Sequence, residues 1–171
     1  MSAQGGAPTR VVSTVGPVLI IGSGLLGASL GLALRAGGVD VYLEDVSPTS
    51  LRLASDVGAG VPFGDVIAEA GVGNGDEGAD RDGYEAPRIV VVATPPDVAD
   101  RAIVDSLVRF PDAIVTDVAS VKDAVVADVL ATLEDRGLED AAQRYVGSHP
   151  MAGRERSGAG AADADLFYGR P

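Results

Sequence analysis

Two groups of residues in this chain could do chemistry, and they lie near its opposite ends. Near the start, Gly22-Ser23-Gly24-Leu25-Leu26-Gly27 follows the apolar run Val18-Leu19-Ile20-Ile21. Near the end stands the only histidine, His149, in Ser148-His149-Pro150. The first group is G-x-G-x-x-G closing a strand and opening a helix, a turn that cradles phosphate. Gly22 permits the tight turn, Gly24 lets a pyrophosphate approach the backbone, and Gly27 lets the helix pack closely on the strand. The helix N-terminus adds free N–H groups and a partial positive charge. His149 is the candidate acid or base, because an imidazole titrates near neutral pH without help. The competing reading is a structural or surface histidine.

These groups need elements to position them. The helix Leu25–Ala36 is stopped by Gly37-Gly38, and a second strand, residues 39–43, leads to Glu44-Asp45. Asp45 lies 18 residues after Gly27. An acid at that strand tip can accept hydrogen bonds from ribose hydroxyls and would repel a 2′-phosphate, so NAD is expected over NADP. Glu44 should point to the other face. Asp45 could instead cap the next helix, but Ser47, followed by Pro48, is the better cap. Residues 59–72 are open between strand and helix, and 71–88 reads as an exposed Gly/Asp/Glu-rich loop. Residues 89–93 form a strand closed by Thr94-Pro95-Pro96. A helix over 96–110 follows, with Val98, Ala102, Leu107 and Phe110 on one side. Residues 113–118 form the next strand, and a helix over 121–136 carries Val121, Val125, Val129, Leu130 and Leu133. Residues 144–147 form a last strand that runs into His149.

Near-continuous apolar strands alternating with helices imply an α/β fold of the Rossmann type: a doubly wound, mainly parallel sheet with helices on both faces. Ligands of such sheets bind beyond the carboxyl ends of the strands. The glycine turn, Asp45, Thr94-Pro95, Ser120, Lys122 and His149 should therefore line one crevice. Ser120 could bind a substrate hydroxyl or orient the imidazole, or it could cap the helix over 121–136. Lys122 is either a substrate cation or a first-turn surface residue. Arg154, Glu155 and Arg156 follow His149, and His149, Arg154, Arg156 and Lys122 suggest a local cationic patch suited to a small anionic substrate. The plainer reading is a solvated charged loop.

Composition narrows the classes. The chain has 171 residues, one domain's worth, and is 46% hydrophobic but only 4% aromatic. It contains no cysteine, which excludes disulfides, thiolate metal sites and a cysteine nucleophile, and one histidine excludes a multi-histidine metal site. A net charge of −12 argues against nucleic acid or an anionic membrane as partner. No apolar run approaches the length of a membrane span. Residues 1–15 read as a flexible tail without a signal core, 16–171 as the nucleotide-binding domain, and a cytoplasmic location is expected.

Together the motifs resemble the prephenate (or arogenate) dehydrogenase family. The matching pieces are IIGSGLLGASLGLALR (20–35), EDVSP (44–48), VVATPP (91–96), TDVASVKD (116–123) and GSHPMAGRERSG (147–158), with ADADLFYGRP after them. The resemblance implies NAD-dependent oxidative decarboxylation of prephenate to 4-hydroxyphenylpyruvate in tyrosine biosynthesis; arogenate would give tyrosine directly. It implies that His149 takes the proton of the substrate ring hydroxyl, that Ser120 helps hold that hydroxyl, and that Glu155 joins ion pairs near the site entrance. Family members continue into a helical domain that forms a homodimer, so the chain is expected to be an N-terminal domain, able to bind NAD but with little turnover alone. A non-catalytic NAD-binding or regulatory domain is the competing function. Another dehydrogenase of the same fold is disfavoured by the histidine-proline motif with its trailing arginines.

Overall fold

The computed structural model describes residues 13–73, 75–151 and 158–169. Six strands form one sheet, β1 (Val18–Ile21), β2 (Val41–Glu44), β3 (Val61–Pro62), β4 (Ile89–Val92), β5 (Ile114–Asp117) and β6 (Tyr145–Gly147). Their order is β3-β2-β1-β4-β5-β6, and every neighbouring pair is parallel. The order reverses between β1 and β4, which opens a crevice at their carboxyl ends. Five helices connect the strands: α1 (Leu25–Ala36), α2 (Pro48–Asp56), α3 (Phe63–Glu69), α4 (Pro96–Arg109) and α5 (Lys122–Asp135). The Rossmann-type architecture read from the alternation of elements is the one observed.

Strand side chains alternate between the two faces. Val18 and Ile20 of β1 join Val41, Leu43, Ala28 and Ala54 in a core under α1 and α2. Leu19 joins Val90, Val92, Phe63, Ile103, Leu107 and Val129 in the larger core under α3, α4 and α5. Helix α2 begins as its sequence suggests: Ser50 N–H donates to Ser47 Oγ at 3.3 Å, with proline in the first turn.

One segment open in the sequence takes a definite form, and three details differ from expectation. The segment 59–72 supplies both a short strand and a helix, β3 and α3. The loop over 71–88 is not simply exposed. Tyr84, Ala86 and Glu77 are buried in it, and Tyr84 Oη–H donates to the Glu77 carbonyl at 2.5 Å. Phe63 explains this, because its ring contacts Tyr42, Tyr84 and Phe110, so much of the chain's small aromatic content converges there. The buried stripe of α4 is Ala99, Ile103, Val104 and Leu107, while Val98 is exposed. In α5, Val125, Val129 and Leu133 are buried, but Val121 and Leu130 face out. A helix laid on a sheet buries one stripe, so apolar residues beyond its width are left outside. Among the described residues no helix is long and apolar enough to cross a membrane.

Candidate functional site

The glycine turn is held by sterics that its sequence predicts. Gly22 adopts φ +101°, and a Cβ there would stand 2.6 Å from the Ala93 carbonyl oxygen. A Cβ on Gly27 would stand 1.9 Å from the Gly22 carbonyl oxygen, so only glycine lets α1 start this close to β1. A Cβ on Gly24 would meet nothing within 4 Å, which leaves the backbone open to approach. Gly24 caps α1, whose first-turn N–H groups have no partner within the helix.

Asp45 is tied to this turn. Its Oδ2 accepts from Ser23 N–H at 2.6 Å and its Oδ1 from Ser47 N–H at 2.8 Å. The carboxylate thereby bridges the β1–α1 turn and the start of α2. Glu44, expected on the other face, lines the same pocket as Asp45, and both its oxygens accept from Arg109 Nη1, at 2.8 and 3.1 Å.

A groove of about 1030 Å³ runs along this edge. Gly22, Gly24, Leu25, Leu26, Asp45, Thr94 and Pro95 line it, as does Gly158 from beyond β6. Ser23 and Gly27 do not; both are buried behind the turn. Sequence reasoning missed the wall contributed by α4, where Val98, Ala102, Asp105 and Arg109 face the groove. The outward position of Val98, off the buried stripe, is the signal that marks that wall. Two buried hydroxyls, Ser23 Oγ and Thr94 Oγ1, have no hydrogen-bond partner among the described residues. Unpaired buried hydroxyls are costly, and the one that lines the groove, on Thr94, suits a polar ligand.

Ser120, Lys122 and His149 lie outside the lining of this groove, at the ends of β5 and β6 on the same edge of the sheet. Strand β6 is three places from β1, about 14 Å at the usual strand spacing. Ser120 and His149 are exposed. Ser120 does not cap α5, whose N-cap is Val121 without a side-chain bond. Lys122 is neither a free cation nor a plain surface residue, because its Nζ pairs with Asp117 Oδ1. Arg154, Glu155 and Arg156 lie outside the described residues, as does the tail over 1–12.

Asp117 organises this end and was not singled out by sequence reasoning. It is fully buried at the end of β5. Besides Lys122, its carboxylate accepts from Ala119 N–H at 2.8 Å and Tyr145 Oη–H at 2.7 Å, and its carbonyl accepts from Ser148 Oγ–H at 2.5 Å. One residue thus fastens the β5–α5 turn, the first turn of α5, β6 and the neighbour of His149. Burial, then the hydrogen bond to Asp117, pushes the Tyr145 phenol well above its ordinary range. A polar residue ending an apolar strand, TDV after Ala113-Ile114-Val115, was the available signal.

Fold and groove define a Rossmann-type nucleotide-binding domain. A family model described as prephenate dehydrogenase, nucleotide-binding domain, matches residues 30–171. The probable prephenate dehydrogenase NovF of Streptomyces niveus is 38% identical over 160 residues, 90% of this chain and 36% of that protein. Prephenate dehydrogenase from A. aeolicus, solved with hydroxyphenyl propionate and NAD+, superposes with TM-score 0.68 at 27% identity, covering 94% of this chain and 50% of that one. Synechocystis arogenate dehydrogenase superposes with TM-score 0.66 at 25% identity, covering 90% and 48%. The chain belongs to the prephenate dehydrogenase family of oxidoreductases, and it spans about half the length of these solved relatives, or less.

Proposed function

We propose that residues 16–171 form the NAD-binding domain of an enzyme that oxidatively decarboxylates prephenate to 4-hydroxyphenylpyruvate in tyrosine biosynthesis. The observation that carries this reading is the shared edge. The glycine turn, Asp45 and Thr94-Pro95 line one groove, and Ser120 and His149 stand farther along the same carboxyl edge of the sheet. A dinucleotide crossing the switch point between β1 and β4 would run from Asp45 toward β5 and β6.

The residues present fit such a cofactor, given the open approach at Gly24 and the unpartnered Thr94 hydroxyl in the groove lining. The turn and the start of α1 would hold the pyrophosphate, and Asp45 the adenosine ribose. The nicotinamide, when bound, accepts the hydride from the carbinol carbon of the substrate. His149 takes the hydroxyl proton on its imidazole nitrogen, so the carbinol becomes a carbonyl as hydride departs. Ser120 holds the same hydroxyl. Cleavage of the ring carbon–carboxylate bond releases CO2, and its electron pair makes the ring aromatic, so the protein's task is mainly orientation and a base. Arg154 and Glu155 would serve the substrate carboxylates and the entrance. The whole protein would act as a homodimer through a helical domain, without nucleic acid or membrane as partner.

NAD at about a hundred times its Kd should stabilise the chain by about 2.7 kcal/mol, read as a rise in Tm, and NADP should do less. Catalysis is read as NADH formation in the chain extended by the carboxyl-terminal portion of its Streptomyces niveus relative. His149→Asn should abolish it, and full activity in that variant would remove the base assignment. The likeness to Synechocystis arogenate dehydrogenase favours arogenate as the second substrate to offer in the same assay.

A further inference from the structure

Besides Asp45, which follows β2, Glu44 at the end of β2 places a second carboxylate at the groove, and its partner suggests a task. Glu44, Asp45, Asp105 and Arg109 line the groove, and Arg109 is the only cation among the described lining residues. That guanidinium is already occupied. Glu44 holds it through two oxygens, and Glu77 Oε1 stands 3.9 Å from Nη2. It also lies over two rings, with its central carbon 5.0 Å from the Phe63 centroid and 4.9 Å from that of Phe110. The stack fixes where the guanidinium sits, and the carboxylate sets whether its charge is free.

We infer that Glu44 is a specificity-determining residue: by clamping Arg109 it withholds the guanidinium from a nucleotide 2′-phosphate. The inference rests on the NAD-binding reading of the groove. Selection against NADP then has two layers. Asp45 repels the 2′-phosphate directly, and Glu44 neutralises the one cation among the described lining residues. A 2′-phosphate entering the wild-type groove finds carboxylates and a pre-paired arginine. With Glu44 made neutral, the two rings still hold the guanidinium at the groove wall, Glu77 at 3.9 Å is left as its carboxylate partner, and one Nη1 N–H is freed.

Titration calorimetry of the 171-residue chain with NAD and with NADP tests this. Glu44→Gln keeps the side-chain shape, and it should raise the NADP:NAD affinity ratio about tenfold, the size of one charge-assisted hydrogen bond. Glu44→Asp, which keeps a carboxylate, should hold the ratio near that of the wild type. Adding Arg109→Met to Glu44→Gln removes the pair as a neutral unit and should return the ratio to the wild-type value. An unchanged ratio in Glu44→Gln overturns the inference. So does a gain that survives Arg109→Met, which would make Glu44 a simple repellent. If Glu44→Gln does not fold, the double variant still decides: a ratio about tenfold below wild type would show that Arg109 already serves the 2′-phosphate. A wild-type chain that binds neither nucleotide would overturn the reading of the groove itself, whereas NAD binding with an unmoved ratio defeats only the clamp.

Discussion

The two ends of the carboxyl edge are built on different principles. At the β1–β2–β4 end the groove is shaped mainly by backbone: a glycine turn, a helix start and strand-end carbonyls packed at distances that exclude a Cβ. At the β5–β6 end the exposed residues Ser120 and His149 stand above a buried polar knot centred on Asp117. The first end gets its geometry from the absence of side chains, the second from a carboxylate that gathers several donors. Recognition of a pyrophosphate needs close backbone N–H groups, whereas proton transfer needs a side chain that reaches out from a fixed base. The contrast predicts where each end is fragile.

The largest effect should come from filling the glycine turn. Gly27→Val puts a branched side chain where even a Cβ lies 1.9 Å from a carbonyl oxygen. It should cost about 3 kcal/mol or more in urea unfolding and abolish NAD-induced stabilisation. At the other end, Asp117→Asn should cost about 3 kcal/mol at neutral pH, because it leaves Lys122, only 24% exposed, without its counter-charge. This variant should leave the glycine turn and NAD binding in place. Equal loss of NAD binding in both variants would show that the two ends are one unit.

A smaller effect is read by pH. Burial pushes the Tyr84 phenol up to about 12, and Tyr145 is raised as well. Below the ordinary tyrosine value of about 10, both folded and unfolded chains keep these protons, so the phenols add no pH dependence. Above it the unfolded chain loses them first, so stability falls as pH rises through the folded values. Tm should decline in that alkaline window, and Tyr84→Phe should make the decline shallower. The smallest change expected is Ser47→Ala, which removes the α2 cap at about 1 kcal/mol and shows as a small loss in Tm.

Much of the fold could be read locally. The strand-to-helix alternation, the cap at Ser47 and the glycine turn depend on residues a few positions apart, and simple sterics decide them. The lateral partners could not be read this way. Glu44 and Arg109 are 65 residues apart, and Tyr145 and Asp117 are 28 apart. Sequence reading therefore gave Lys122 two roles and missed the third, a counter-ion to Asp117. It likewise put Val98 on one side with Leu107, when Leu107 is buried and Val98 borders the groove.

By itself, the sequence determined that strands and helices alternate and that a phosphate-binding turn follows β1, because backbone sterics and apolar periodicity act over a few residues. The order of the six strands, and which carboxylate meets which cation, came from the assembled fold. Those are set by packing between segments distant in the chain, where a charge takes whatever partner the assembled sheet brings beside it.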